Sequence, residues 1–188
     1  KTYGAADPGS YTYTVTGGDL KNGDTAGGVL TGSLSRAAGE NAGDYAIGQN
    51  TLAANSNYSI AYTAANFTID PASLTITASD ASKTYGDTLT FAGTEFSASG
   101  LKNGETVGSV TLSSSGAVST ATVAGGPYAI AASAATGGTF TASNYSISYV
   151  DGALTVDPAT LHVAADSGQH KTYGAADPGS YTYTVTGG

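Results

Sequence analysis

Short runs in which a large residue alternates with Thr or Ser recur along the whole chain. Tyr11-Thr12-Tyr13-Thr14-Val15-Thr16 is the plainest, and Tyr58/Ile60/Tyr62, Phe67-Thr68-Ile69 and Leu74-Thr75-Ile76-Thr77 follow it. Tyr145/Ile147/Tyr149, Leu154/Val156 and Leu161/Val163 repeat the pattern further on. A period of two marks a strand with one face in a core and the other in water, the habit of sheets that keep a wet side. A helical turn has room only around residues 19–25, where Asn22-Gly23 favours a plain turn at least as well. The pattern predicts an all-β protein with about five or six strands per domain and very little helix.

The alternating runs come in a fixed order, twice. Residues 1–18 and 171–188 are identical letter for letter, which sets a period of 170 residues. Inside it, Lys-Thr-Tyr-Gly opens at Lys1, Lys83 and Lys171. Leu20-Lys21-Asn22-Gly23-Asp24 recurs as Leu101-Lys102-Asn103-Gly104-Glu105, and Tyr45-Ala46-Ile47 as Tyr128-Ala129-Ile130. Asn57-Tyr58-Ser59-Ile60 recurs as Asn144-Tyr145-Ser146-Ile147, and Asp70-Pro71-Ala72 as Asp157-Pro158-Ala159. The period therefore holds two diverged small β domains, and such arrays serve reach, spacing and multivalency. The second half is longer by two residues before Tyr-Ala-Ile and by four after it, while the closing stretch keeps its length. Insertions belong in loops, so the constant stretch reads as a rigid hairpin.

Proline cannot donate to a central ladder, so each Asp-Pro marks a break between sheets. This divides the chain into a first repeat domain at 1–72, a second at 73–159 and the start of a third at 160–188. The second opens on the strand at Leu74, ahead of its Lys-Thr-Tyr-Gly. The matching strand for the first type of domain is Leu161-His162-Val163-Ala164, just ahead of Lys171. Residues 1–72 lack it. Either the chain is a window on a continuous polymer, or a strand passes head to tail between chains, with backbone hydrogen bonds supplying affinity. An exchange of that kind does not close and builds filaments. An ~85-residue domain buries roughly 60–65% of its unfolded surface, so a shared strand or interdomain contact matters to stability.

The ordered set Lys-Thr-Tyr-Gly, Leu-Lys-Asn-Gly, Tyr-Ala-Ile, Asn-Tyr-x-Ile and Asp-Pro-Ala resembles the MBG-type (mostly β, grasp-like) repeats of large secreted bacterial surface proteins, filamentous-haemagglutinin-like adhesins among them. The resemblance covers essentially the whole chain, twice over. It implies a β-rich extracellular spacer on a bacterial surface with no catalytic residues to carry over. Pro127 and the longer loops of the second half depart from the pattern and stand to tune the angle between neighbours.

Composition narrows the chemistry. The net charge is −8, with residues 1–82 holding 3 basic and 7 acidic groups and residues 83–170 holding 2 and 6. An evenly acidic surface disfavours nucleic acid and anionic lipid, which need clustered Lys or Arg. No apolar run is long enough to span a bilayer. With no Cys there is neither a disulfide frame nor a thiolate metal site.

The candidate sites are correspondingly few. Asp70, Asp80 and Asp87 lie near the first joint and Asp157, Asp166 and Asp177 near the second, a placement that suits calcium or ordinary turn chemistry. His162 and His170 lack a positioned partner and read as surface residues. The recurring Lys1, Lys83 and Lys171 read as edge protection, with an isopeptide bond as the sharper option. Tyr3, Tyr11, Tyr13, Tyr45, Tyr58 and Tyr62 read as core more than as a carbohydrate platform. The glycosylation-like Asn57, Asn66 and Asn144 read as strand-entry residues. The sequence thus points to a non-enzymatic stalk or filament repeat, without a cofactor, whose partners are neighbouring identical units. The alternative is a module repeated for avidity on glycans or another cell surface.

Overall fold

A computed structural model describes residues 1–16 and 19–186, and it is nearly all β. In the first module the strands are β1 (Leu30–Thr31), β2 (Ser35–Arg36), β3 (Gly43–Gly48), β4 (Ala53–Ala54) and β5 (Ala65–Ile69). The second holds β6 (Ala72–Ala78), β7 (Ala81–Thr84), β8 (Phe96–Ser99), β9 (Val107–Ser113), β10 (Tyr128–Gly138), β11 (Tyr145–Val150) and β12 (Gly152–Asp157). A final pair, β13 (Val163–Ala165) and β14 (Tyr183–Val185), stands by itself. Helix is slight but does not fall at residues 19–25: one α-helical turn, α1 (Ala26–Val29), follows the Asn22-Gly23 turn, and short 3-10 turns lie at Ser115–Ala117, Val123–Gly125 and Ala142–Asn144.

The second module is two packed sheets. One has the order β7-β12-β10-β9 and the other β11-β6-β8. β6 runs in the middle of its sheet, parallel to β11 and antiparallel to β8. Its alternating Ala72, Leu74, Ile76 and Ala78 are all buried, with Leu74 and Ile76 fully so. Ile130, Leu154 and Val156 close the core from the facing sheet. Each Asp-Pro separates sheets as expected, for β5 and β6 belong to different ones.

The two modules share a ladder frame to the residue. Tyr45 faces Phe67 and Ile47 faces Ala65 across β3–β5; Tyr128 faces Leu154 and Ile130 faces Gly152 across β10–β12. Thr2 bridges Asp70 in parallel as Thr84 pairs with Asp157, and the amides of Tyr3 and Tyr85 each donate to those aspartate carbonyls at 2.8 Å. The frame differs where the sequence lengths differ. β9 and β10 form one long antiparallel pair with a bulge between Ser133 and Thr136. Its counterpart in the first module is split into β1–β4 and β2–β3, with a turn at 50–51 between them. The extra residues thus extend strands as well as loops.

Three expectations are corrected. Residues 11–16 and 58–62 form no ladder among the described residues, despite their alternation. Their equivalents in the second module are β8 and β11, which both pair with β6; in the first module a groove lies where β6 would run. The closing stretch is not a hairpin. β11 and β12 sit in different sheets, and Asp151 turns the chain from one to the other. Its constant length reflects that fixed corner, where Asp80 Oδ1 accepts the Ala153 amide at 2.7 Å. Finally, the second module has seven strands, because its opening run divides into β6 and β7.

Candidate functional site

The most elaborate polar arrangement lies where the two modules meet. Tyr3 leaves its own module and packs edge-on against Tyr145 of the next, with ring centroids 5.5 Å apart. Glu105 takes both phenols, Tyr3 on one carboxylate oxygen and Tyr145 on the other. The Lys102 amide donates to the Tyr145 hydroxyl at 2.9 Å, which fixes the ring from the remaining side. Tyr3, Ile69, Ala72, Leu74, Ile76, Val110 and Tyr145 form one buried cluster, so the core runs across the boundary. Burial together with the Glu105 bond pushes the Tyr145 phenol up to about 12, and the Glu105 bond raises Tyr3 as well.

A second clamp lies beside the first. Asn144 ends a short 3-10 turn (Ala142–Asn144) and is 1% exposed. Its Oδ1 accepts the Ala42 amide at 2.8 Å and its Nδ2 donates to Asn41 Oδ1 at 3.0 Å. Both bonds cross from one module to the other. Close approach is also enforced at Gly4, whose φ is +78°; a Cβ there would lie 2.7 Å from Lys102 Cβ. The Tyr-Gly pair therefore works as a unit, since the ring reaches the neighbour only because the next residue has no side chain.

The first module carries half of the same arrangement. The Tyr58 hydroxyl donates to Asp24 at 2.7 Å and accepts the Lys21 amide at 2.9 Å, matching Tyr145, Glu105 and Lys102. In turn, Tyr85 of the second module is 48% exposed, where Tyr3 is 5% exposed.

A charged cluster distinguishes the first module. Arg36 holds Asp7 with two nitrogens, at 2.8 and 3.1 Å, and bonds Glu40. Lys1 Nζ lies 2.6 Å from Asp7 and also pairs with Glu40. The guanidinium stacks over Tyr45 and Phe67 at 5.1 and 5.4 Å. The Arg36 and Lys1 bonds hold the Asp7 carboxyl well below its usual range, and Glu40 is lowered by Lys1 first and Arg36 second.

The six aspartates are dispersed into local tasks. Asp70 and Asp157 accept the Tyr3 and Tyr85 amides through their carbonyls. Asp80 caps the β11–β12 corner, and the Asp87 carbonyl accepts Lys83 Nζ. Asp166 accepts the Thr184 hydroxyl, and Asp177 pairs with Lys171. Among the described residues no group of three or more His, Cys, Asp or Glu gathers to hold a metal ion.

A family model for MBG domains of the YGX type matches residues 1–68 and again residues 74–155. The chain belongs to the MBG domain family. Each match opens within a residue range that carries the Tyr-Gly pair, at Tyr3-Gly4 and Tyr85-Gly86. Among curated proteins and among solved structures no match is found. The chain is thus a tandem of MBG modules, and its most developed polar geometry is the joint between them.

Other sequence candidates fall into place around the MBG frame. Lys83 does lie on an edge strand, β7, but its side chain is buried, 7% exposed, and Nζ donates to the Asp87 and Val118 carbonyls. Those are carbonyl oxygens, not the carboxamide or carboxylate that an isopeptide bond consumes. Asn66 lies within β5, not at its entry, and Asn144 is a buried joint residue. Of the six tyrosines only Tyr3 is buried, Tyr13 is exposed, and the other four are half-buried. His162 and His170 are exposed. Sequence reasoning missed Asn144 and Glu105 as joint residues. The signal available was the recurrence of Tyr with an acid, as Tyr58/Asp24 and Tyr145/Glu105, in both repeats.

Proposed function

We propose that these MBG modules are structural repeats of an extracellular stalk or filament on a bacterial surface, without enzymatic activity. The joint is the observation that carries this reading. A shared apolar cluster and two polar clamps fix one module against the next, so orientation passes along the chain instead of being lost at a flexible linker. Continuous small modules that contact only their neighbours make a quasi-one-dimensional object. The acidity, spread evenly over both modules, keeps parallel stalks apart.

Imaging a chain of several 170-residue periods by electron microscopy tests the reading. Rods whose length grows by a constant step per period support it. Particles bent at random between modules, or binding of the array to a glycan panel at the valency of the whole chain, would replace the spacer with a flexible tether or an adhesive module.

A further inference from the structure

The joint brings two phenols together in a way found nowhere else among the described residues, where no other two tyrosine rings are in contact. Tyr3 and Tyr145 stand edge to face, with centroids 5.5 Å apart and planes crossing at 76°, inside the range at which aromatic rings attract. Both hydroxyls donate to one carboxylate, Tyr3 to Glu105 Oε1 and Tyr145 to Glu105 Oε2, each at 2.5 Å. The phenol ends therefore converge, and with them the ring carbons ortho to each hydroxyl. Tyr3 and Tyr145 are 5% and 6% exposed, so the buried cluster around them holds the pair in place.

Composition directs oxidation to this type of side chain. Cys and Met, which ordinarily absorb oxidants, are absent, and so is Trp, whereas the chain holds 13 Tyr. Tyrosine is then the easiest electron donor on offer. A phenol gives up its electron together with its proton, because the oxidised ring is a strong acid, and at the joint a base already accepts that proton's hydrogen bond. Only an electron has to cross the surface; the oxidant itself need not enter the joint.

We propose that Tyr3 and Tyr145 form an oxidative modification site, at which a one-electron oxidant such as a peroxidase supplied with hydrogen peroxide joins the two rings as a dityrosine staple across the module boundary. Each phenol loses one electron to the oxidant and its hydroxyl proton to Glu105, which passes the first proton to water before taking the second. The two ring radicals pair to form one carbon–carbon bond between ortho carbons. The hydrogen on each of those carbons then leaves as a proton while one returns to each oxygen, restoring two phenols. In sum two electrons and two protons depart, which one hydrogen peroxide carries off as two waters. A biaryl is itself twisted, so the crossed planes have to approach but not to flatten. Holding both rings in one cluster turns a bimolecular encounter into an intramolecular step. The staple converts a joint of hydrogen bonds and apolar contacts into one that opens only by breaking a covalent bond. The inference concerns this joint alone and is independent of the stalk reading.

Photo-oxidation of the whole chain at low concentration, by ruthenium tris-bipyridyl with persulfate, tests it when followed by tryptic peptide mass mapping. The expected product joins residues 2–21 to residues 103–171, two hydrogens lighter than their sum, and fragmentation puts the bond on Tyr3 and Tyr145. Tyr3→Phe should lose this product. Glu105→Gln, which keeps a hydrogen-bonding side chain but is a far weaker base, should lower its yield several-fold. Unfolding the wild type in urea before illumination should reduce it to one among many pairings, since chance encounters then choose among all 13 tyrosines. That last comparison needs no variant to fold. Cross-linking confined to exposed residues such as Tyr173 and Tyr181, an undiminished yield from Glu105→Gln, or an equal yield in urea overturns the proposal.

Discussion

The two modules are the same frame stabilised in different ways. In the second, the central strand β6 joins β11 and β8 into one sheet, and Leu74, Ile76, Ile130 and Leu154 are fully buried. In the first a groove lies between the equivalent segments, and the charged cluster of Lys1, Asp7, Arg36 and Glu40 braces its outer sheet. The ladder puts Leu154 where the first module has the Phe67 under the guanidinium, and one residue beyond the end of the β9–β10 pairing Ser114 stands in the place of Arg36. Identical pairing patterns therefore do not require identical cores. What the frame does demand is the set of positions common to both: Tyr-Gly, Tyr-Ala-Ile, Asn-Tyr and Asp-Pro.

This comparison breaks most easily at β6 and at its sequence equivalent, residues 159–165. Leu74→Ala leaves a cavity in a closed core and should cost about 2–5 kcal/mol in urea unfolding followed by tyrosine fluorescence. Leu161→Ala, at the same place in the repeat, should stay within about 0.5 kcal/mol in the single copy. Equal losses would mean that residues 159–165 are already buried in solution.

The joint comes next. Asn144→Ala takes the acceptor from the half-buried Ala42 amide and the partner from the exposed Asn41 carboxamide, and should cost about 1 kcal/mol. The equivalent Asn57→Ala is exposed and should be near neutral by the same denaturation measurement. The Tyr145 phenol sharpens this contrast with pH. Its pKa is raised in the folded state, so the stability it contributes is whole below about 10, the usual tyrosine value, and is lost as pH rises towards about 12. Unfolding midpoints across that window should fall for the wild type and fall less for Tyr145→Phe.

A smaller effect separates the two bends. Asn50 and Ala134 both take left-handed conformations, with φ of 48° and 50°. Asn tolerates that region and Ala does not, so Ala134→Gly should stabilise the second module by about 0.5 kcal/mol. Acid should touch the first module through its charged cluster. Asp7 and Glu40 are held below their ordinary values of 3.8 and 4.5. Their contribution is whole above those values and is lost as pH falls through the lowered ones. Amide exchange around Arg36 should quicken in that acid window, and Arg36→Gln should weaken the dependence, with Lys1 still paired to both carboxylates.

Much of the frame was legible because it rests on local pattern. Alternation at Leu74-Thr75-Ile76-Thr77 places β6, and the paired Asp-Pro motifs place the breaks between sheets. The alternation of Tyr11–Val15 and Tyr58–Tyr62 is as plain, yet neither forms a ladder among the described residues. Period two reports a strand's preference, whereas a ladder needs a partner backbone, and that partner lies outside the local sequence. The constant spacing after Asn-Tyr could not distinguish a hairpin from a corner between sheets, since both fix length. Lys83 misled for a related reason: a lysine surrounded by backbone carbonyls leaves no trace in side-chain chemistry. The joint was visible only as a recurring Tyr and acid, because Asn144 differs from the exposed Asn57 solely in what packs over it.

The parallel pairings have a mechanical meaning. In the second module the entering strands β6 and β7 lie alongside the leaving strands β11 and β12, and both pairs run in the same direction. Tension applied to the chain at either side of the module pulls the two members of each pair in opposite senses along their length. The evenly spaced slanted bonds of a parallel ladder then share that load together, in shear, instead of opening one after another like a zipper. A module threaded this way resists extension through many weak bonds breaking at once.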